Sequence, residues 1–286
     1  MHISMSFLYG IRFMNKEEIL ARNNINISGS GDKTLLLAHG FGCDQNMWRF
    51  LLPELEKRFK VILFDYVGSG SSDLSAFSQS RYSSLEGYAK DLEEILVMLD
   101  LRDVSVIGHS VSSMIAGIAS TNIRDRISDL TMIGPSPCFI NSPPDYVGGF
   151  EKQDIEELIN LIDNNYIEWA NYFAPLVMGA SHSPELIGEL SGSFCSTDPI
   201  FTKAFANATF FSDHRDLLTQ IQMPTLVLQS YDDSLASVEV GEYIADKIPN
   251  CQLDIIEAEG HCLHMTKPDL ITPVIIDFIN KNQQQV

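Results

Sequence analysis

Short apolar runs alternate along the chain with segments in which apolar residues recur every three or four positions. The runs are typical of buried strands and lie at 24–27, 35–39, 61–65, 104–107, 130–133, 225–229 and 253–257. The clearest helical period covers 85–99, where Leu85, Tyr88, Leu92 and Leu99 share one face. Strands that alternate with such helices predict an α/β chain with a mostly parallel, doubly wound sheet.

The stretch Gly108-His109-Ser110-Val111-Ser112 separates the run at 104–107 from a helix of small residues. This pattern indicates a nucleophile elbow, in which a tight turn between strand and helix exposes a serine. Ser110 is therefore the candidate nucleophile, and Ser112 stands where the elbow motif usually has its last glycine. The alternative is a junction that uses small residues only to pack strand against helix.

Candidate acid and base groups follow Ser110 in the chain order that elbow enzymes use, serine, then acid, then histidine. Asp232 and Asp233 follow the run at 225–229, and His261 follows the run at 253–257. The carboxyl ends of parallel strands meet at one edge, so these groups are expected to converge there. Asp233 is preferred, with Asp232 the competitor, and the chemistry predicted is acyl transfer with His261 as general base.

The loop His39-Gly40-Phe41-Gly42 follows an early strand and indicates a source of oxyanion donors. The backbone N–H groups of Phe41 and Val111 are expected to face the developing negative charge. His39 and Gly42 are expected to shape the loop, and the alternative for the whole segment is a simple strand-to-loop turn.

Between 134 and 211 the alternation of strands and helices stops, and a helix-rich, aromatic-rich stretch replaces it. We expect a helical lid at 135–211 over a core formed by 14–134 and 212–286, with 1–13 an upstream extension that contributes little to the fold. Some aromatic side chains of this stretch are expected to pack the lid onto the sheet, and the others are expected to line an apolar pocket above Ser110. The residues predicted to line that pocket are Phe41, Phe139, Trp169, Tyr172, Phe173 and Phe205.

Charge narrows the choice of ligands and partners. With 38 acidic and 19 basic residues among 286, the formal charge is −19, which disfavours nucleic acid and anionic membranes as partners.

Five cysteines without a CxxC pair favour reduced thiols in the cytoplasm. His264 lies three residues after His261, but no further cluster has ligand spacing, so neither a metal nor another cofactor is expected.

Five longer motifs, at 40–45, 64–70, 134–138, 194–199 and 210–215, occur in the order found in a known family. The chain from Met14 onward resembles the alpha/beta-hydrolase fold, specifically the RsbQ-type bacterial stress-response regulators, and less closely the plant strigolactone and karrikin receptors. The resemblance implies a cytoplasmic serine hydrolase with the triad Ser110, Asp233 and His261. It also implies a regulatory partner, the PAS-domain phosphatase RsbP or an analogous PAS protein, and a role in activating sigma-B.

Two residues depart from the family pattern, Ser112 at the elbow and Ser237 where relatives usually have proline. Neither departure removes a reacting group. Three functions therefore stay open: a hydrolase that relays the presence of a small hydrophobic ester or lactone to a protein partner, a binding module with slow or vestigial catalysis, and a metabolic esterase or lactonase without a regulatory partner.

Overall fold

A computed structural model describes residues 15–179 and 181–283. All seven predicted strands are present, with ends that differ by a few residues: β1 (Asn26–Ser28), β2 (Thr34–Ala38), β3 (Lys60–Leu63), β4 (Val104–His109), β5 (Ile127–Ile133), β6 (Thr225–Asp232) and β7 (Cys251–Glu259). β1 begins later than predicted because Asn24 has a φ of 44°, a left-handed turn conformation that cannot belong to a strand. The predicted upstream extension, 1–13, lies outside the described residues.

The strands form one sheet in the order β1-β3-β2-β4-β5-β6-β7. β1 pairs antiparallel with β3, and every other pairing is parallel, which confirms the predicted mostly parallel α/β sheet. The chain runs from β2 outward to β3 and then returns to place β4 on the other side of β2. The carboxyl ends of β2 and β4 therefore flank a crevice of the kind in which open α/β sheets bind ligands.

The described residues form eleven α-helices: α1 (Lys16–Arg22), α2 (Leu52–Leu55), α3 (Leu85–Met98), α4 (Val111–Asn122), α5 (Lys152–Asn164), α6 (Tyr166–Met178), α7 (Pro184–Ser196), α8 (Pro199–Phe210), α9 (Val238–Lys247), α10 (Leu263–Thr266) and α11 (Pro268–Gln283). α3 matches the helix predicted at 85–99 to within one residue, and the predicted face is buried from Leu85 to Leu96, while Leu99 is the half-buried C-cap. It ends where Asp100 adopts a φ of 49°. None of these helices is long and apolar enough to cross a lipid bilayer.

The segment predicted as a lid, 135–211, contains α5 to α8 between β5 and β6. Side chains cap three of these helices: Asn165, Ser183 and Asp198 each accept a hydrogen bond from an N–H group in the first turn. Phe41, from the loop after β2, is one of the core residues that the segment packs against. Its ring centroid lies 5.5–6.5 Å from those of five lid aromatics, Trp169, Phe173, Phe194, Phe205 and Phe210.

Candidate active site

Ser110 occupies a strained turn between β4 and α4. Its φ of 55° and ψ of −123° are rare for a residue with a side chain and cost about 1–3 kcal/mol, which the surrounding structure must offset. The Ser110 amide donates to the Ile133 carbonyl at 2.8 Å, which ties the turn to β5. A β-carbon at Gly108 would lie 2.6 Å from the Ser112 carbonyl oxygen, so the approach of strand and helix requires glycine there.

Asp233 and His261 form a buried pair. Asp233 Oδ2 lies 2.8 Å from His261 Nδ1, and Asp233 Oδ1 accepts from the amides of Leu235 at 2.8 Å and Ala236 at 3.1 Å. Because the carboxylate can only accept from the ring, the hydrogen bond places the neutral imidazole's proton on Nδ1. Nε2 then carries the lone pair that a general base needs, and this buried atom has no hydrogen-bond partner in the described part of the chain.

The competitor Asp232 lies at the end of β6 with its side chain exposed. Asp232 contacts the loop that carries His261 through its backbone, because its carbonyl accepts a hydrogen bond from the Gly260 amide at 2.7 Å. The geometry therefore brings Asp233, and not Asp232, to His261.

Ser110 and His261 line the same cavity, but their side chains do not form a hydrogen bond in this structure. The His261 ring is held from two sides. A β-carbon at Gly134 would lie 3.0 Å from it, and the centroid of the His109 ring is 5.0 Å away. The distance between a catalytic nucleophile and its base is often long in an unliganded enzyme and shortens when substrate binds.

The loop after β2 reaches the elbow because β2 and β4 are neighbours, with Ala38 paired to Gly108. A β-carbon at Gly40 would lie 2.3 Å from the His109 ring, so only glycine permits this approach. The amides of Phe41 and Val111 donate no hydrogen bond within the described residues and stay available to a ligand. Phe41 lines the same cavity as Ser110, and Val111 is the residue that follows Ser110 in the chain.

A small, largely apolar cavity of about 20 Å³ lies above Ser110, and Phe41 and Phe173 are the two predicted pocket residues that line it. The other lining residues are Cys43, His109, Ser110, Val177, Leu190, Phe194, Thr209, Phe210, Leu235, His261 and Cys262. Two of them could have been inferred from the sequence. Val177 lies one helical turn after Phe173, and Leu190 lies one helical turn before Phe194, so each shares a helix face with that phenylalanine.

The structure corrects the pocket prediction for four residues. Tyr172 is 62% exposed because the buried face of α6 is formed by Trp169, Ala170, Phe173 and Val177, and Tyr172 lies on the opposite side of the helix. Trp169 stacks on Tyr166, Phe205 stacks on Tyr88, and Phe139 packs edge-on against Phe210. These last three predicted residues form the layer behind the cavity wall.

His109 and Cys262, which line the cavity, form a buried cluster with His264, with potential ligand atoms within 4.8 Å of one another. The sequence suggested only His261 with His264 as a metal pair, so this cluster was not foreseen. Burial lowers the pKa of His264 to about 3 and that of His109 well below its usual value, while burial raises the pKa of the Cys262 thiol. The two rings are therefore neutral, and the thiol is protonated.

The loop that carries His261 is bonded to the lid. The His261 amide donates to the Val177 carbonyl near the end of α6 at 2.8 Å, and Ser230 Oγ donates to the Gly260 carbonyl at 2.5 Å. Gly260 has a φ of 88°, and a β-carbon there would lie 2.0 Å from the Met178 carbonyl oxygen. The backbone of His261 is thus fixed by the sheet on one side and by the lid on the other.

Comparison with known proteins agrees with this architecture. The family model for the alpha/beta hydrolase fold matches residues 33–160. The chain is 36% identical to karrikin insensitive 2 receptor CA of Petunia hybrida, over 90% of this chain and 96% of that protein. It is 35% identical to a strigolactone esterase of Arabidopsis thaliana, over 89% of this chain and 95% of that protein.

A solved structure, that of olei00960, a hydrolase from Oleispira antarctica, is 72% identical, covers 94% of this chain and 99% of its own, and superposes with a TM-score of 0.93. The sheet order, the elbow at Ser110 and this similarity across nine-tenths of the sequence lead to one conclusion. The chain belongs to the alpha/beta hydrolase family.

Proposed function

We propose that the protein is a serine hydrolase that cleaves small hydrophobic esters or lactones. The observation that carries this proposal is the buried pair of Asp233 and His261, joined at 2.8 Å, beside the cavity that also receives Ser110. A carboxylate that fixes the Nδ1–H tautomer leaves Nε2 free to accept a proton.

The reaction proceeds in two acyl-transfer steps. Ser110 Oγ attacks the ester carbonyl while His261 Nε2 takes its proton, and the amides of Phe41 and Val111 donate to the resulting oxyanion. The carbonyl re-forms, the alcohol leaves with the proton from His261, and Ser110 carries the acyl group. Water then attacks the acyl-enzyme by the same route and releases the acid, and Asp233 stays ionised throughout.

The lining of the cavity favours a small apolar substrate, and the cavity, at about 20 Å³, has to widen to admit one. The cavity walls are mainly aromatic and aliphatic side chains, Phe41 and Leu235 from the core and Phe173, Leu190, Phe194 and Phe210 from the lid, and the polar groups include Ser110 and His261. The chain's formal charge of −19 favours an uncharged substrate over an anion. An ester or lactone with a short apolar group meets these requirements.

Hydrolysis of p-nitrophenyl acetate, combined with labelling by a fluorophosphonate, tests the proposal. Ser110→Ala should lower kcat by about 10⁴-fold or more and abolish labelling. Ser113→Ala, which changes another buried serine three positions along α4, should keep both activities. Wild-type protein that is folded but neither labels nor turns over the ester would contradict the proposal, as would equal labelling of Ser110→Ala.

A second function, signalling, is proposed on the basis of the RsbQ-type resemblance and of relatives that are named as receptors. In this proposal, binding or hydrolysis of the ligand is relayed to a PAS-domain phosphatase of the RsbP type. The exposed apolar side chains of the lid helices, Ile167, Tyr172 and Ile200, favour a partner that contacts the lid.

The signalling proposal is tested by mixing the purified protein with a PAS-domain phosphatase from the same genome and measuring phosphatase activity. Activation by the wild type and not by Ser110→Ala would indicate that turnover drives the signal. Activation by both would indicate a binding module. Activation by neither would leave a metabolic esterase or lactonase as the function.

A further inference from the structure

Ser112, the serine that replaces the usual last glycine of the elbow, is fully buried in the first turn of α4. A hydroxyl in this position needs partners, since a buried polar group without a hydrogen bond costs about 1–3 kcal/mol. The partners of Ser112 do not belong to its own helix. One lies in the loop of residues 39–42, called here the oxyanion loop, and the other lies in the segment after β3.

Ser112 Oγ donates to the His39 carbonyl at 2.5 Å. Because its single proton is used there, the Tyr66 hydroxyl, 3.0 Å away, is the donor in the second contact. His39 and Tyr66 are completely buried, so water does not compete for these bonds. The Ser112 hydroxyl thus joins the elbow helix to the residue that opens the oxyanion loop.

The next peptide group of the loop is held by the His39 ring. The Tyr66 amide donates to His39 Nε2 at 3.2 Å, which leaves the ring proton on Nδ1, and Nδ1 lies 2.9 Å from the Gly40 carbonyl oxygen. Burial lowers the pKa of His39, which keeps the ring neutral. The Gly40 carbonyl also accepts from the Cys43 amide at 3.3 Å.

The peptide group between Gly40 and Phe41 is planar, so fixing its carbonyl fixes the direction of the Phe41 N–H. The preceding peptide group, between His39 and Gly40, is fixed by Ser112 in the same way. Two successive peptide planes of the oxyanion loop are therefore oriented by hydrogen bonds, and the first of these bonds comes from the elbow itself.

We propose that Ser112 is a positioning residue, which holds the His39 carbonyl so that the Phe41 N–H points at the oxyanion formed on Ser110. This inference rests on the proposed hydrolase function. A glycine at this position removes the donor to His39 and the acceptor of the Tyr66 hydroxyl. The departure from the usual elbow motif thus adds a contact that the glycine form of the motif lacks.

The test compares Ser112→Ala with Ser113→Ala, a matched control. Ser113 is equally buried, is the next residue of α4, and donates to the Gly108 carbonyl of β4 at 3.1 Å instead of to the loop. Ser112→Ala should lower kcat for p-nitrophenyl acetate by about tenfold with KM changed less than twofold, because a misplaced oxyanion donor acts mainly on the transition state. Affinity for a trifluoromethyl ketone, which forms a tetrahedral oxyanion adduct, should fall by the same factor.

Ser113→Ala should lower the melting temperature about as much as Ser112→Ala and leave kcat within twofold. Tyr66→Phe, which keeps the bond from Ser112 to His39, should give a smaller loss of kcat than Ser112→Ala. Equal loss of kcat in the two serine variants would show a merely structural role and overturn the inference, as would an unchanged kcat in Ser112→Ala.

Amide hydrogen exchange gives a readout that does not depend on turnover. Exchange at the Cys43 amide, which donates to the Gly40 carbonyl of the loop, should become at least several-fold faster in Ser112→Ala and stay unchanged in Ser113→Ala. If wild-type Ser110 fails to react with the fluorophosphonate, the hydrolase proposal fails, and the exchange rates still decide whether Ser112 orders the loop. If Ser110 reacts and the exchange rates of both variants match the wild type, the inference about Ser112 fails alone.

Discussion

The floor and the roof of the cavity are built in different ways. The floor, formed by the elbow, the oxyanion loop and the pair of Asp233 and His261, is held by directional hydrogen bonds that each have a defined donor and acceptor. The roof, formed by α6, α7 and α8, presents the apolar side chains of Phe173, Leu190 and Phe194 to the cavity, and the rings of Phe173 and Phe194 pack against each other. Directional bonds fix where atoms lie, whereas apolar packing mainly fixes how much space remains.

This difference separates two properties of the proposed enzyme. Changes in the floor should alter how fast any ester reacts and leave the choice among esters unchanged. Changes in the roof should alter which esters fit and leave the rate for the smallest one almost unchanged. Substitutions in each region can therefore be compared on a series of p-nitrophenyl esters of increasing acyl length.

The largest effect is expected in the floor, at Asp233. Asp233→Asn keeps an acceptor for the amides of Leu235 and Ala236 but presents an NH₂ group to His261, which moves the ring proton to Nε2. A base that already carries its proton cannot accept another from Ser110, so kcat should fall by about 10⁴-fold for every ester.

The control is Asp232→Asn, because the Asp232 side chain is exposed and makes no contact with His261. It should keep kcat within twofold. A loss of activity on long esters alone in Asp233→Asn, or an equal loss of kcat in Asp232→Asn, would contradict the proposed separation between floor and roof.

A smaller effect, of the opposite kind, is expected at Leu190 in the roof. Leu190→Ala enlarges the cavity, so more of a long acyl chain can be buried in it. Each buried methylene contributes about 0.8 kcal/mol to the binding of the acyl chain. The ratio of kcat/KM for the hexanoate to kcat/KM for the acetate should therefore rise by about tenfold. Ile187→Ala alters the outer side of α7, which faces a separate groove, and should leave the ratio unchanged. An unchanged ratio in Leu190→Ala would show that this residue does not limit the cavity.

The smallest effect concerns pH and arises in the buried cluster of His109, Cys262 and His264, which lies next to the floor and not in the roof. Burial lowers the pKa of His264 to about 3 from 6.5, so between these values the unfolded chain binds a proton that the folded chain does not. The free energy of unfolding therefore falls as the pH falls through this window, by about 1 kcal/mol for this residue between pH 7 and pH 5.5.

Urea unfolding at the two pH values measures this loss. His264→Leu should lose about 1 kcal/mol less on acidification than the wild type, even if it is less stable at pH 7. Ile187→Ala, in the roof, should retain the full loss. An identical pH dependence in His264→Leu and the wild type would contradict the prediction.

Much of this site could be predicted because it depends on where strands end. Ser110, Asp233 and His261 each follow a strong apolar run, and parallel strands bring such positions to one edge. The choice between Asp232 and Asp233 could not be settled from spacing alone. It depends on where β6 ends and the chain turns back, so that the second aspartate is buried and the first is exposed.

The roof was harder to predict because lining a cavity depends on the rotation of each helix. Tyr172 and Phe173 are neighbours in sequence, yet one faces solvent and the other the cavity. The partnership of Ser112 with His39 also had no signal in the sequence. It arises only because β2 and β4 pair in register, which brings the His39 carbonyl beside the first turn of α4.

The hydrogen bond from the His261 amide to the Val177 carbonyl has a consequence for protein engineering. A lid grafted from a relative would have to place a backbone carbonyl where that of Val177 lies in order to hold the general base, and Gly260 leaves no space to adjust against Met178. Chimeras that exchange the lid alone should therefore lose activity even where the new pocket suits the substrate. The end of α6 and the 260–261 turn form one module, and they have to be transplanted, or randomised, together.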